Sequence, residues 1–112
     1  MKTKEDILQD FPNLFSNIQP LDFSVAPGWV DIVYDLCKQI NEKWPETKVL
    51  QIKEKFGTLS FYIEAPEIYN VINEAEKISC NTCYFCGKFP AKLDTSKNRI
   101  LTLCEECSKK RS

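Results

Sequence analysis

The stretch SCNTCYFCGKF, residues 79–89, holds three cysteines at intervals of three residues. A second stretch, LCEEC at residues 103–107, adds two more cysteines with the same spacing. Two such pairs, about 15–20 residues apart, are typical of a tetrahedral metal site made of four thiolates. Five thiols are therefore available for four ligand positions. The sixth cysteine, Cys37, lies on the apolar stripe of a predicted helix, so we expect it in the core.

The residue that follows each cysteine distinguishes the candidate pairs. Cys86 precedes Gly87, whereas Cys83 precedes Tyr84. The backbone of a zinc knuckle folds tightly so that amide N–H groups point at sulfur, and glycine tolerates the positive φ that this can need. The pattern C-x2-C-x17-C-x2-C then assigns the ligands as Cys83, Cys86, Cys104 and Cys107. Cys80 with Cys83 is the alternative first pair, because its spacing also fits.

Zinc is the predicted metal, because it suits four thiolates and has no redox demands of its own. A site with four cysteine ligands is closed to water and substrate, so we expect it to stabilise the fold. The intervening segment AKLDTSKNRILTL, residues 91–103, predicts two short strands that turn around residues 96–98. Such a hairpin would bring the second cysteine pair back to the first and form a zinc ribbon.

Upstream of the cysteines, the hydrophobic pattern predicts two helices. Thr3 followed by Asp6 resembles a capping pair, so a short helix is expected from Lys4 to about Phe15, which Pro12 could split. Apolar residues recur at three and four positions over residues 29–44, which predicts a second helix that ends before a proline. The segment NIQPLDFSVAPG between these two helices is interpreted as a connecting loop.

The segment VLQIKEKFGTLSFYIEA, residues 49–65, changes to a period of two and predicts a β-hairpin that turns near Gly57. Its apolar face carries Leu50, Ile52, Leu59, Phe61 and Ile63. Its outer face carries Gln51, Lys53, Lys55, Ser60 and Tyr62. Of these outer residues, Lys53, Lys55 and Tyr62 form a candidate surface for a phosphate backbone or an acidic partner.

A third helix is expected to begin at Pro66. Its predicted apolar stripe is Ile68, Val71, Ile72, Ala75 and Ile78. Helices that cover one face of a hairpin give an α+β fold, here with a C-terminal zinc ribbon. The amino-acid composition changes near Ser79, after which five of the six cysteines occur. This change predicts an α+β core at residues 1–79 and a zinc-ribbon subdomain at residues 80–112.

Charge and composition argue against several classes of function. Residues 1–79 carry a net charge of −5 and residues 80–112 a net charge of +4, which four thiolates around Zn²⁺ would reduce, so support for nucleic-acid binding is weak. The N-terminal MKTKEDILQD lacks the apolar region of a signal peptide, and no apolar run has the length of a membrane span. We therefore expect a cytoplasmic protein with reduced thiols. The chain has no histidine, the commonest general base, so we expect no enzymatic activity.

Several segments together resemble a family of small, functionally uncharacterised proteins encoded by bacteriophages and prophages. The resemblance covers residues 28–107 and rests on GWVDIVYDLC, QIKEKFGTLSFY, AEKIS, CYFCG and TLCEEC. It implies a phage or prophage context and a zinc ribbon on the four cysteines already assigned. It also implies possible roles for Lys53, Lys55, Phe56, Gly57 and Tyr62. This chain has Ser60 where the family pattern IKEKFGTLRFY has arginine, which argues against nucleic-acid binding on that face.

We therefore expect a non-enzymatic, zinc-binding phage or prophage accessory protein that binds and modulates a host protein, such as a defence or transcription component. Its acidic N-terminal part could present a nucleic-acid-like surface that includes Asp22, Asp31, Asp35, Glu42 and Glu46. The first alternative is a nucleic-acid-binding zinc-ribbon module. The second is an enzyme that uses Cys80 as a nucleophile. The sequence leaves the oligomeric state open.

Overall fold

A computed structural model describes residues 2–64 and 68–111 of the chain. Within these residues the elements follow in the order α1 (Lys4–Asp10), β1 (Phe23–Ser24), α2 (Val30–Lys43), β2 (Val49–Lys55), β3 (Thr58–Ile63), α3 (Tyr69–Ser79), β4 (Lys92–Asp94), β5 (Leu101–Leu103) and α4 (Glu105–Arg111). Short 3-10 turns at Pro20–Asp22 and Pro27–Trp29 precede β1 and α2. The predicted α+β class is confirmed. No helix in the described part of the chain has the length and apolar character needed to cross a membrane.

The strands form two sheets. β2 and β3 make the predicted antiparallel hairpin, and β1 adds to it in parallel, with Phe23 opposite Ile52. The hairpin turn contains Phe56 at φ 53° and Gly57 at φ 83°. Such positive φ values are typical of two-residue hairpin turns. β4 and β5 form the second, two-stranded sheet and confirm the predicted ribbon hairpin.

One cluster of buried side chains extends through both sheets. α2 contributes Val33, Leu36 and Ile40, while the hairpin contributes its inner face. The same cluster includes Leu101 and Leu103 of the ribbon. The ribbon therefore packs its apolar side chains into the same core as the helices. This packing places the cysteines next to that core. Whether residues 1–79 and 80–112 form separate units, as the composition predicts, stays a prediction.

The first helix is shorter than predicted. The Thr3–Asp6 capping box is present, but α1 ends at Asp10 and not near Phe15. Phe11 has φ −128° and ψ 55°, outside the helical region, because Pro12 disfavours helical geometry in the residue before it. The segment that follows still buries Leu14 against the core.

Two apolar residues do not face the core as predicted. Leu50 is 43% exposed, because the strand register shifts between Val49 and Gln51 and buries Val49 instead. Ile78 is 54% exposed at the end of α3, where it lines a groove. The predicted start of the third helix at Pro66 lies outside the described residues, and α3 itself begins at Tyr69.

Candidate metal centre

The structure brings together the four cysteines that the spacing singles out, Cys83, Cys86, Cys104 and Cys107. Their Sγ atoms all lie within 4.8 Å of one another, and the Cys86 and Cys104 Sγ atoms are 3.6 Å apart. Tetrahedral Zn–S bonds of about 2.3 Å place sulfurs about 3.8 Å apart, whereas a disulfide needs about 2.0 Å. All four cysteines are free thiols. The cluster therefore has dimensions that suit a bound metal ion.

The first knuckle, residues 83–88, is a tight backbone loop. The Gly87 N–H donates to the Cys83 carbonyl at 3.0 Å, and the Cys83 N–H donates to the Lys88 carbonyl at 2.9 Å. Gly87 has φ 80°, a left-handed conformation that side chains rarely adopt. The expectation that glycine serves a positive φ after Cys86 is thus confirmed.

The second knuckle joins β5 to α4. Cys104 follows the strand, and Cys107 lies in the first turns of the helix. The Cys107 N–H donates to the Cys104 Sγ at 3.4 Å, and the Ser108 N–H donates to the Cys104 carbonyl at 2.9 Å. Backbone N–H groups directed at sulfur favour the thiolate, which is the form that binds metal.

The electrostatics of the cluster favour a cation. Burial would raise the pKa of Cys83, but backbone N–H groups of Cys104, Cys86 and Phe85 outweigh it and lower that pKa to about 6. Burial and hydrogen bonds from the other three cysteines raise the pKa of Cys107 to about 12. Cys83 and Cys107 therefore do not ionise together without a cation. A divalent ion among them would stabilise all four thiolates.

The 3-10 turn at Pro27–Trp29, directly before α2, holds the first knuckle in place. The Gly28 N–H donates to the Tyr84 carbonyl at 3.0 Å. A Cβ at Gly28 would lie 2.0 Å from the Cys83 carbonyl oxygen, so only glycine allows this close backbone contact. The buried Trp29 indole Nε1–H donates to the Thr82 carbonyl at 2.9 Å, and its ring packs edge-on against Tyr84 at 4.7 Å.

The ribbon also contacts the turn of the first hairpin. The buried Thr102 hydroxyl donates to the Gly57 carbonyl at 2.6 Å. The Glu54 carboxylate accepts from the Gly57 N–H at 2.7 Å and from the Arg99 guanidinium at 3.1 Å. These contacts hold β5 and the loop before it against the hairpin. The Tyr84 N–H donates to the Thr102 carbonyl at 2.8 Å and so joins β5 to the first knuckle.

The other two cysteines lie outside the cluster. Cys80 is exposed, and its Sγ lies 3.5 Å from the Thr58 hydroxyl. Cys37 is fully buried, which confirms its predicted place in the core, and burial raises the pKa of its thiol. Neither is one of the clustered cysteines.

The predicted binding residues lie on the outer face of the hairpin. Lys53 pairs with Ser60 across the strands, and the Lys55 Nζ lies 5.2 Å from the centre of the exposed Tyr62 ring. Hydrogen bonding from Ser60, together with the charge of Lys55, lowers the pKa of Tyr62. That this face binds a partner stays a prediction.

Two features near the cluster were not predicted from the sequence. Gly28 contacts the knuckle only through tertiary packing, so no local pattern indicates its role. α4 was missed, although its acidic first turn at Glu105 and Glu106 and its basic last turn from Lys109 to Arg111 are typical helix-end signals.

Comparison of the chain with protein-family models, with curated proteins and with solved structures finds no match. The resemblance to a phage and prophage family therefore stays a prediction. The four-cysteine cluster is the feature that bears most directly on function.

Proposed function

We propose that this chain is a non-enzymatic, zinc-binding accessory protein of phage or prophage origin that acts in the cytoplasm by binding and modulating a host protein. The main support for the proposal is the four-cysteine cluster, of which Cys83 and Cys104 belong to the shared core while Cys86 and Cys107 pack against it. Four sulfurs at this spacing suit Zn²⁺. A metal held in this way stabilises the fold around it, which suits a protein that presents a surface to a partner.

Partner capture tests this proposal. Tagged protein is incubated with a bacterial host lysate, and the retained proteins are compared with those retained by a Cys86→Ser variant. We expect one host protein to co-purify with the original chain through size-exclusion chromatography and to be lost with the variant. Recovery of no host protein above background would contradict the proposal. A coding sequence far from any phage genes would contradict the proposed origin.

The alternative function is nucleic-acid binding by the zinc ribbon, through the basic end of α4 at Lys109, Lys110 and Arg111. Binding to phosphates releases counterions, so the affinity for DNA or RNA should fall steeply between low and moderate salt. A Lys109→Ala, Lys110→Ala variant should then bind more weakly. Absence of binding at low salt would exclude this alternative.

Cys80 as a catalytic nucleophile is the remaining alternative. Its thiol is exposed, and the Thr58 hydroxyl is its hydrogen-bonding neighbour. A Cys80→Ser variant that captures the host protein and modulates it as the original chain does would exclude a role for this thiol.

A further inference from the structure

A groove of about 630 Å³ lies where α2, α3 and the first knuckle meet. We call it the α2–α3 groove. Its lining residues on α2 run from Asp31 to Gln39, and those on α3 run from Val71 to Ile78. Each set spans about two helical turns, or about 12 Å. The third wall comes from Cys86 and Gly87 of the knuckle, so the metal centre shapes one side of the groove.

The floor and mouth of the groove are apolar. Its apolar side chains are Ile32, Leu36, Val71, Ala75, Ile78 and Phe89. Ile78 is 54% exposed and Phe89 is 75% exposed, so two large apolar side chains face water at its edge. An exposed apolar patch with a polar rim is typical of a protein interaction site.

The rim of the groove is acidic. Asp31 and Asp35 lie one turn apart on α2, and Glu74 lies on α3. Among the described lining residues Lys77 is the one cation, and its Nζ lies 3.7 Å from the Glu74 carboxylate. Four thiolates around a divalent ion would add further negative charge at the third wall. The potential of the groove therefore favours a positively charged occupant.

We propose that the α2–α3 groove binds a basic amphipathic helix of the protein partner. Two side-by-side helices leave a channel into which the ridges of a third helix can pack. Apolar side chains of the partner, spaced at i, i+3 or i+4 and i+7, would contact the Ile78 and Phe89 side chains. Lysines or arginines one turn apart would face Asp31 and Asp35. This inference rests on the proposed protein-binding function and specifies the chemistry of the partner.

Selection from a display library of random peptides, each about 14 residues long, tests the groove directly. The zinc-loaded chain is the bait. We expect enriched peptides to carry apolar residues at helical spacing with lysine or arginine between them. No enrichment over an unrelated bait, or enrichment of acidic peptides, would overturn the proposal.

Substitutions then locate the binding site. Ile78→Lys removes an apolar contact, adds a repelling charge and leaves a residue that suits a helix C-terminus. We expect it to weaken the binding of selected peptides at least about tenfold, and Asp35→Lys to do the same. Leu21→Lys is the matched control, because Leu21 is 84% exposed and lies outside the groove, and it should change affinity less than about twofold. Unchanged peptide binding by Ile78→Lys would overturn the assignment.

Capture of a host protein distinguishes the groove proposal from the proposed function on which it rests. A host protein captured equally by the original chain and by Ile78→Lys would contradict the groove assignment and leave the proposed function intact. Capture of no host protein would contradict the proposed function, whatever the library yields.

Discussion

At the scale of single residues, Gly28 determines how closely α2 approaches the first knuckle. Its backbone lies so near the Cys83 and Tyr84 carbonyls that a Cβ would be 2.0 Å from one oxygen and 2.6 Å from the other. The neighbouring Trp29 adds a buried hydrogen bond to the Thr82 carbonyl. The dipeptide Gly28–Trp29 therefore ties the helix to the cysteine loop through both its backbone and its side chain.

Gly28→Ala should destabilise the protein by about 3 kcal/mol or more, because the added methyl group overlaps backbone atoms that belong to the knuckle. It should also weaken metal binding, since the knuckle would have to move. Chemical denaturation and chelator competition measure the two effects. Asn73→Ala, on the exposed side of α3, is the control and should change neither quantity measurably. A Gly28→Ala variant of unchanged stability would contradict the close contact.

At the scale of elements, β5 links the ribbon to the first hairpin through Thr102. Its hydroxyl is buried and donates to the Gly57 carbonyl at 2.6 Å. Thr102→Val keeps the shape of the side chain but leaves this buried acceptor unpaired, which should cost about 1–3 kcal/mol of folding free energy. Denaturant unfolding measures the loss. Thr95→Val, at an exposed position, should cost little, and equal effects at the two positions would contradict the coupling.

Asp94 joins the end of β4 to α4. Its carboxylate accepts from the Ser96 hydroxyl and N–H and from the Ser108 hydroxyl. Hydrogen bonds from the Ser96 side chain, then from its backbone, then from Ser108, lower the pKa of Asp94 to about 2. Since the pKa in the folded protein is lower than that in the unfolded chain, the ionised carboxylate stabilises the fold above the unfolded pKa of about 4.

Asp94→Asn should therefore be less stable than the original chain at pH 7. The stability difference should stay constant down to about pH 5 and then narrow as the pH falls towards about 2, where the native carboxylate is protonated. Acid release of the metal affects both proteins, so the difference isolates Asp94. Denaturation at a series of pH values provides the measurement. A difference that closes near pH 6 would contradict the assigned hydrogen bonds.

At the scale of the whole molecule, the cysteine cluster and the helices share one set of buried contacts. Cys83 and Cys104 belong to the same buried cluster as Trp29 and Ile40. We therefore expect a metal bound at this place to stabilise the entire fold and not only its C-terminal part.

The protein should then unfold in one cooperative transition, and chelation of the metal should lower the Tm of that transition. In a Trp44→Phe background, fluorescence reports on Trp29, which packs against Tyr84 of the knuckle. Fluorescence and far-UV circular dichroism should give the same Tm, and a chelator should lower both by at least about 10 °C. A Tm from fluorescence that is clearly lower than the Tm from circular dichroism would instead show that the ribbon and the helical core unfold as two independent units.

Local patterns explain which parts of the fold were predictable. The C-x2-C pairs, the hairpin turn at Gly57 and the apolar period of α2 are visible over a few residues, and each is present in the structure. The strand β1 was missed because its two residues pair with β2 across a long stretch of sequence. The exposure of Leu50 and Ile78 depends on a register shift and on the spacing of helices, which no single segment encodes.

In the candidate site, too, features of a short segment were predictable and features that depend on tertiary contacts were not. The spacing of the cysteines and Gly87 identified the four that cluster and left Cys80 outside. The contact at Gly28 and the α2–α3 groove arise only when separate segments meet in space, so neither was predicted. The acidic residues Asp31 and Asp35 were recognised as a possible surface, but their place beside the knuckle came from the structure.

Elemental analysis is the most direct test of the four-cysteine metal site. Protein purified without added chelator is measured by elemental analysis, together with Cys80→Ser and Cys86→Ser. We predict one zinc per chain in the original protein and in Cys80→Ser, and loss of zinc or of the folded ribbon in Cys86→Ser. Absence of metal from the original protein, or zinc retained by Cys86→Ser and lost from Cys80→Ser, would contradict a metal site made of Cys83, Cys86, Cys104 and Cys107.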